Sequence, residues 1–325
     1  MAILVTGVAG FIGHHVAAAL LARGDDVVGI DNLNPYYDPS LKKARLAALS
    51  SSPQFTFMEG DVAKGGLDAL PLAPDQIIHL AAQAGVRHSI ENPQAYVHAN
   101  LQGHANILEF ARQHKIQKTI YASSSSVYGG NIKIPFAEED RTDDPVSFYG
   151  ATKKADELLS QSYARLYDLP LVGLRFFTVY GPWGRPDMAY WMFTENILKE
   201  RPIRVFNQGR MGRDFTYIDD CVQGILAALD TPLHVAEGSP PHRVYNLGND
   251  RPEDLMTFIM LLEKYIGKEA IKNFEPMQLG DVERTWADIS RAREELGYSP
   301  QTPLAEGLEK FVRWFEHYFE YSPSK

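Results

Sequence analysis

A single cysteine, Cys221, occurs in 325 residues. That excludes an internal disulfide framework and leaves too few thiolates for a zinc or iron-sulfur site, so no metal centre is expected and a reducing, cytoplasmic setting fits. Val222, Ile225 and Leu226 beside it have the spacing of a helix's buried stripe, which predicts a structural thiol. Basic charge is also scarce: 32 Lys and Arg against 41 Asp and Glu leave a formal charge of -9. Nucleic-acid binding needs a basic face that releases counterions, so nucleic acid is not a partner and any nucleotide bound here is a small molecule. No apolar run reaches the ~18 to 20 residues that span a bilayer, and no charged leader precedes the first apolar run, so no membrane association is predicted.

Apolar side chains make up 45% of the chain, enough for one large α/β domain or a domain with a smaller lobe grafted onto it. Residues 2–6 form a continuous apolar run ending at glycines, which predicts a strand covered on both faces. His14 to Arg23 reads as a helix closed by Gly24, and Asp26 to Ile30 as a second strand ending at Asp31. Further strands are predicted at Phe55 to Met58, Gln76 to Leu80, Lys118 to Ala122 and Leu171 to Phe177, with helices such as Ala95 to Gln113 and Ala151 to Tyr167 between them. Buried strands alternating with helices predict a Rossmann-type, doubly wound parallel sheet. After Tyr180 a loop rich in glycine and proline runs from Gly181 to Asp187, and the later elements alternate less regularly. The expected division is therefore 1–180 as a dinucleotide-binding domain, with parts of 218–249 returning to it, and 181–325 as a smaller substrate lobe. Leu308, Phe311, Val312 and Phe315 give Leu304 to Tyr321 the stripe of a packed helix.

Gly7, Gly10 and Gly13 form a Gly-x-x-Gly-x-x-Gly turn between the first strand and the first helix. Small residues there let the backbone approach a pyrophosphate, and the helix N-terminus donates amide hydrogen bonds to it. Asp31, at the end of the second strand, has the position from which a carboxylate accepts bonds from the adenosine ribose and repels a 2'-phosphate, so NAD is preferred over NADP. Asp61, after the third strand, is a candidate for the adenine edge.

Tyr149 and Lys153 stand four apart on a predicted helix and share one face. An ammonium ~4 Å from a phenolate contributes ~4 kcal/mol at an effective dielectric of ~20, about 3 pKa units, which brings a phenol toward neutrality as a base. Tyr321 and Lys325 repeat the spacing at the chain end, where no function is expected. Context separates the two pairs: Tyr149 follows a buried strand that ends in Ser123-Ser124-Ser125-Ser126, whose hydroxyls can share a proton with a sugar hydroxyl.

On these segments the sequence resembles the extended short-chain dehydrogenase/reductase family and, within it, the UDP-glucuronate 4-epimerases. The anchors are residues 6–13 around the glycines, Ala81 to Arg87, Ser123 to Gly129, Tyr149 to Lys153 and Arg213 to Asp220. The segment Arg175 to Ala189, with Gly181-Pro182-Trp183-Gly184-Arg185-Pro186-Asp187, is the most selective. The resemblance implies a homodimer that pairs the helices around Ala95 to Gln113 and Ala151 to Tyr167, and a tightly held NAD contacted by Gly7, Gly10, Phe11, Ile12, Gly13, Asp31, Asn32, Asp61, Val62, Leu80, Ala81, Ala82, Gln83, Asn100, Ser123, Tyr149, Lys153, Phe176 and Val179. It further implies that Tyr149 takes the proton of the sugar 4-hydroxyl, Lys153 lowers the tyrosine pKa and Ser124 bonds the same oxygen. Hydride passes from carbon 4 to NAD and returns to the opposite face, with no net redox change.

By the same resemblance the UDP-sugar meets Arg87, Ser125, Ser126, Tyr149, Thr178, Arg185, Arg213 and Asp281. Arg185 is the candidate counter-charge for the uronate carboxylate, because a guanidinium grips both oxygens in one plane. That hold matters chemically, since a 4-keto uronate is a β-keto acid that loses CO2 when the carboxyl bond aligns with the ketone π-system. Arg213 resembles the family's diphosphate arginine and Asp281 its uridine-ribose acid. Galactose-type epimerases carry an arginine three residues before that acid, where this chain has Gln278. Dehydratases usually place an acidic pair, and decarboxylases an acid, where this chain has Ser124 to Ser126, which favours an epimerase. A 4-epimerase of a neutral or N-acetylated UDP-hexose is the nearest remaining alternative, and it has no use for Arg185. A non-catalytic NAD sensor commonly loses the tyrosine or the lysine, and this chain keeps both.

Overall fold

The computed structural model describes residues 1–71, 73–278 and 280–321, so Lys325 of the second Tyr–Lys pair lies outside the described residues. In chain order, the first half contains β1 (Ala2–Thr6), α1 (Phe11–Arg23), β2 (Asp26–Asp31), α2 (Pro39–Leu49), β3 (Phe55–Glu59), β4 (Gln76–His79), α3 (Val86–Glu91), α4 (Pro93–Tyr96), α5 (Gly103–Gln113), β5 (Lys118–Ser124) and α6 (Phe148–Tyr167). The second half contains β6 (Leu171–Phe176), β7 (Thr178–Tyr180), α7 (Ala189–Leu198), β8 (Ile203–Val205), β9 (Gly212–Tyr217), α8 (Ile218–Asp230), β10 (His242–Leu247), β11 (Pro252–Asp254), α9 (Leu255–Ile266), β12 (Lys272–Phe274), α10 (Ser290–Leu296) and α11 (Leu304–Tyr318).

Seven strands form one sheet in the order β10-β6-β5-β4-β1-β2-β3, and every neighbouring pair runs parallel. Alternation along each strand divides its residues between two cores. Ile3, Val5, Ile78, Val172 and Leu174 point to one side, while Leu4, Ile77 and Leu171 point to the other. Helices cover both faces, α1 packing on α2 and α8, and α5 on α6. This is the doubly wound sheet expected from the buried strands. The strand order reverses at β1, so the loops after β1 and β4 diverge there and open a crevice at the strands' carboxyl ends. A three-stranded sheet β11-β9-β7 and a two-stranded sheet β12-β8 lie outside it, with α7, α9 and α11 packed together. Among the described residues no helix is long and apolar enough to cross a membrane.

Several boundaries differ from those read in the sequence, each for a local reason. Helix α1 begins at Phe11, directly on Gly10, and ends at Gly24, whose φ of 91° is the left-handed cap that glycine favours. Helix α6 begins at Phe148 because Ser147 caps it, accepting from the Gly150 amide at 3.0 Å. The rod expected over 95–113 is three segments, α4, a π-helical stretch Val97–Gln102 and α5. Strand β5 runs on through Ser124, and α11 stops at Tyr318. Leu308, Phe311, Val312 and Phe315 of α11 are buried, as is Cys221, whose thiol burial pushes up.

Candidate active site

Two connected cavities of about 270 and 600 Å³ meet over the carboxyl end of the sheet. The smaller begins at the glycine turn. Gly7 has a φ of 70° and donates to the Ile30 carbonyl at 2.7 Å, and Gly10 closes the turn on the Gly7 carbonyl at 2.9 Å. A Cβ on Gly13 would lie 2.2 Å from that same carbonyl oxygen, so the turn can lie this close to α1 only with glycine there. Gly10 makes no side-chain cap, which leaves the first-turn amides of α1 open to an anion. This cradle, with a carboxylate at the end of β2, fits a dinucleotide.

Gly7, Gly10, Phe11, Ile12, Gly13, Asp31, Asn32, Asp61, Val62, Leu80, Ala81, Ala82, Gln83, Ser123, Ser124, Tyr149, Lys153, Phe176 and Val179 all line the smaller cavity. Asn100 does not. It is 1% exposed, accepts from the Gln83 amide at 2.8 Å and donates to the Gln83 carbonyl and the Thr152 hydroxyl. It braces the wall of the cavity instead of facing into it. Ser123 reaches the cavity, but its hydroxyl donates to Glu157 at 2.7 Å, and Glu157 is gripped by both prongs of Arg175 at 2.8 and 2.9 Å.

Asp31 accepts from the Ala9 and Leu33 amides at 3.2 and 2.8 Å and from Lys42 at 3.2 Å. Its charge therefore has a cation beside it that the sequence reading did not include. Asp61 caps the turn Val62–Lys64 through the Ala63 amide and meets His98 at 2.9 Å. Burial pushes its carboxyl up, but these bonds outweigh that and hold it below its ordinary value.

Tyr149 and Ser124 line both cavities, whereas Lys153 faces only the smaller one. The Tyr149 ring stands edge-on to Tyr96 with centroids 6.0 Å apart, and its amide donates to Ser89 at 3.2 Å. Tyr96 in turn is hydrogen-bonded to the Ala84 carbonyl at 2.8 Å, which fixes the loop after β4 against α6. Lys153 donates to the Ala122 carbonyl at 3.2 Å and to Asp156 at 3.0 Å.

The larger cavity is lined by Arg87, Ser125, Ser126, Tyr149, Thr178, Arg185, Arg213 and Asp281; Gln278 is not among its lining residues. Two of the arginines are already paired. Arg185 forks onto Asp187 at 3.0 and 2.5 Å, and Asp187 also accepts from Tyr36 at 3.1 Å. Burial opposes the Asp187 carboxylate, yet Arg185 outweighs it and holds the acid below its usual range. Arg213 meets Asp281 at 2.6 Å, while burial, and the like charge of Arg87, push its guanidinium down. Arg87 lies over the Phe206 ring at 4.9 Å.

Sequence reasoning missed the groups that join these parts. Arg45 is fully buried and donates to the carbonyls of Ala9, Trp183 and Gly184 and to Tyr37. It ties the glycine turn to the 181–187 loop across more than 130 residues of chain. No local spacing signals such a contact. Asp187 stood inside the selective segment, two residues from Arg185, and that i+2 acid was the available sign of the ion pair.

The chain matches the model of the NAD dependent epimerase/dehydratase family over residues 3–248. It is 50% identical over 336 residues to UDP-glucuronate 4-epimerase 1 of Arabidopsis thaliana, covering 99% of this chain and 78% of that protein. UDP-glucuronate 4-epimerase 4 of the same plant is 51% identical over 333 residues, 98% of this chain and 76% of that protein. Among solved structures, UDP-glucuronic acid 4-epimerase from Bacillus cereus, in complex with UDP-glucuronic acid and NAD, superposes with a TM-score of 0.91 at 38% identity, covering 98% of this chain and 100% of that one. UDP-glucose 4-epimerase from Thermotoga maritima, with UDP-glucose, gives 0.87 at 30% identity, covering 98% and 100%. With the glycine cradle, the parallel sheet and this extent of matching, the chain belongs to the NAD-dependent epimerase/dehydratase family.

Proposed function

We propose that this protein is an NAD-dependent isomerase that inverts carbon 4 of UDP-glucuronate to give UDP-galacturonate. The observation that carries the reading is the position of Tyr149 and Ser124, where the dinucleotide-sized cavity opens into the larger one. A sugar carbon seated at that junction has a phenol and a hydroxyl on one side and the cofactor cavity on the other. NAD, held at the Gly7, Gly10 and Gly13 turn of the smaller cavity, would supply reversible hydride exchange with carbon 4. Tyr149 receives the proton of the 4-hydroxyl as the ketone forms and returns it when the alcohol is restored. Ser124 bonds the same oxygen and supports the charge that develops there. Lys153, behind them, favours the phenolate by its charge.

In the larger cavity Ser125, Ser126 and Thr178 offer hydroxyl donors to the uronate carboxylate. Arg185 has used two of its five N–H donors on Asp187, and those that remain serve the same group. Held in this way, the carboxyl bond stays out of line with the ketone, and CO2 is retained. Arg213 and Asp281 bind diphosphate and uridine ribose once substrate replaces their mutual pairing, and Arg87 adds positive charge nearby. Asp31, Asn32 and Asp61 hold the adenosine end of the cofactor. The division of labour is residues 1–180, with parts of 218–249, for NAD, and 181–325 for the UDP-sugar.

The neutral-hexose alternative draws on one observation: Asp187 compensates the charge of Arg185. Substrate deuterated at carbon 4 tests the mechanism. Product that keeps the label at carbon 4 supports hydride return to the same carbon, and loss of label to solvent contradicts it. The reading also includes a cytoplasmic homodimer. Leu158 and Leu166, 60% and 66% exposed and eight residues apart on α6, give that helix an apolar outer face suited to a second copy. A monomer in light scattering at working concentrations removes the dimer.

A further inference from the structure

Behind the proton-transfer pair lies a carboxylate that the chemistry above leaves unused. Asp156 is one turn beyond Lys153 on α6 and 1% exposed. Its Oδ2 accepts from Lys153 Nζ at 3.0 Å, while Oδ1 is buried with no hydrogen-bond partner among the described residues. The titratable groups beside this pair come from four elements: Glu157 of α6, His79 of β4, His104 of α5, which also bonds the Asp156 backbone, and Tyr121 of β5. Glu157 is committed to Arg175. His79 and His104 are pushed down by burial, and the Lys153 charge adds to the effect, so both rings are neutral at physiological pH and bond to Thr6 and Ser160. Burial raises Tyr121, which is also neutral. Asp156 is thus the acid whose charge answers that of Lys153.

We propose that Asp156 is a positioning residue that acts through Lys153: bonded to the ammonium by its Oδ2, it cancels part of the field by which Lys153 draws Tyr149 toward phenolate. The inference rests on the reading of Tyr149 and Lys153 as the proton-transfer pair. A carboxylate with one bare oxygen in the interior is poorly stabilised. Burial pushes Asp156 up to about 6, against the pull of Lys153. Its compensation is therefore incomplete just below neutrality, and the ammonium acts on the phenol with least opposition when Asp156 carries its proton.

The test is a phenolate absorbance titration of the NAD-loaded protein without substrate, with Tyr149→Phe as the blank, so its result is independent of which sugar is turned over. In Asp156→Asn, Tyr149 ionises about one pH unit lower than in the unmodified protein, a roughly ten-fold rise in its acid constant. Asp156→Ala removes the charge in a good helix former and moves the curve the same way, should the Asn variant not fold. A Tyr149 midpoint that stays or rises in either folded variant overturns the proposal.

Discussion

Replacing Arg185 with leucine separates binding of the uronate carboxylate from binding of UDP. A charge-assisted bond from Arg185 to the carboxylate is worth ~1.5 to 3 kcal/mol, so losing it alone weakens UDP-glucuronate by ~10- to 150-fold. The structure adds a second loss. Asp187, now paired with Arg185 by two bonds, is left facing the substrate with no cation on it, held by Tyr36 and its own backbone amide. Two carboxylates ~6 Å apart repel by ~3 kcal/mol at an effective dielectric of ~20, which takes the total beyond ~1000-fold. Adding Asp187→Asn removes the repulsion and returns the double variant to the smaller loss, so the cycle is strongly non-additive. Calorimetric titration with UDP-glucuronate and with UDP reads both effects. UDP affinity stays unchanged in all three variants. Equal weakening of both ligands in Arg185→Leu, or additive effects in the cycle, refutes the role given to the Arg185–Asp187 pair.

Tyr149→Phe abolishes turnover while NAD remains bound, checked by product formation and by cofactor content of the purified protein; retained turnover removes Tyr149 as the proton carrier. Gly13→Ala drives a methyl toward the Gly7 carbonyl, 2.2 Å from the ideal Cβ position, so the protein loses copurifying NAD and ~1 to 3 kcal/mol of stability in urea unfolding. Glu157→Gln strands Arg175 in the interior and costs ~3 to 5 kcal/mol near pH 7. Burial pushes Glu157 up, but Arg175, Ser123 and Lys154 hold it below its ordinary value. Its stabilisation is therefore complete above the ordinary glutamate range and is lost as pH falls through the lowered value. The variant flattens that part of the acid unfolding curve, and an unchanged curve contradicts the pairing.

The parts of the site legible in the sequence are those built from neighbours along the chain. Gly7, Gly10 and Gly13 announce their turn because strand, turn and helix follow within a dozen residues, and Tyr149 and Lys153 share a face through helical period alone. Element centres were legible for the same reason, since two-faced burial leaves short apolar runs at Ala2 to Val5 in β1, Ile77 and Ile78 in β4 and Leu171 to Leu174 in β6. The remainder depends on contacts between distant segments. Asn100 has the composition of a site residue, but the chain turns its amide onto the Gln83 backbone. Arg45 carries no local sign of its burial, because the 181–187 loop that folds over it and supplies its acceptors is distant along the chain. Asp156 sits in the quoted motif's own helix, and only the packing of α5 and β5 against that helix shows that it is buried. Caps such as Ser147 move helix ends by two or three residues, which periodicity does not resolve.

Proton NMR of the purified protein with UDP-glucuronate and no added cofactor, following the anomeric signals with time, tests the central claim most directly. Conversion to an equilibrium mixture with UDP-galacturonate is expected, catalysed with NAD that purifies with the chain. A UDP-pentose product contradicts the way the carboxylate is held. An unchanged spectrum, even after NAD is added, contradicts UDP-glucuronate as the substrate.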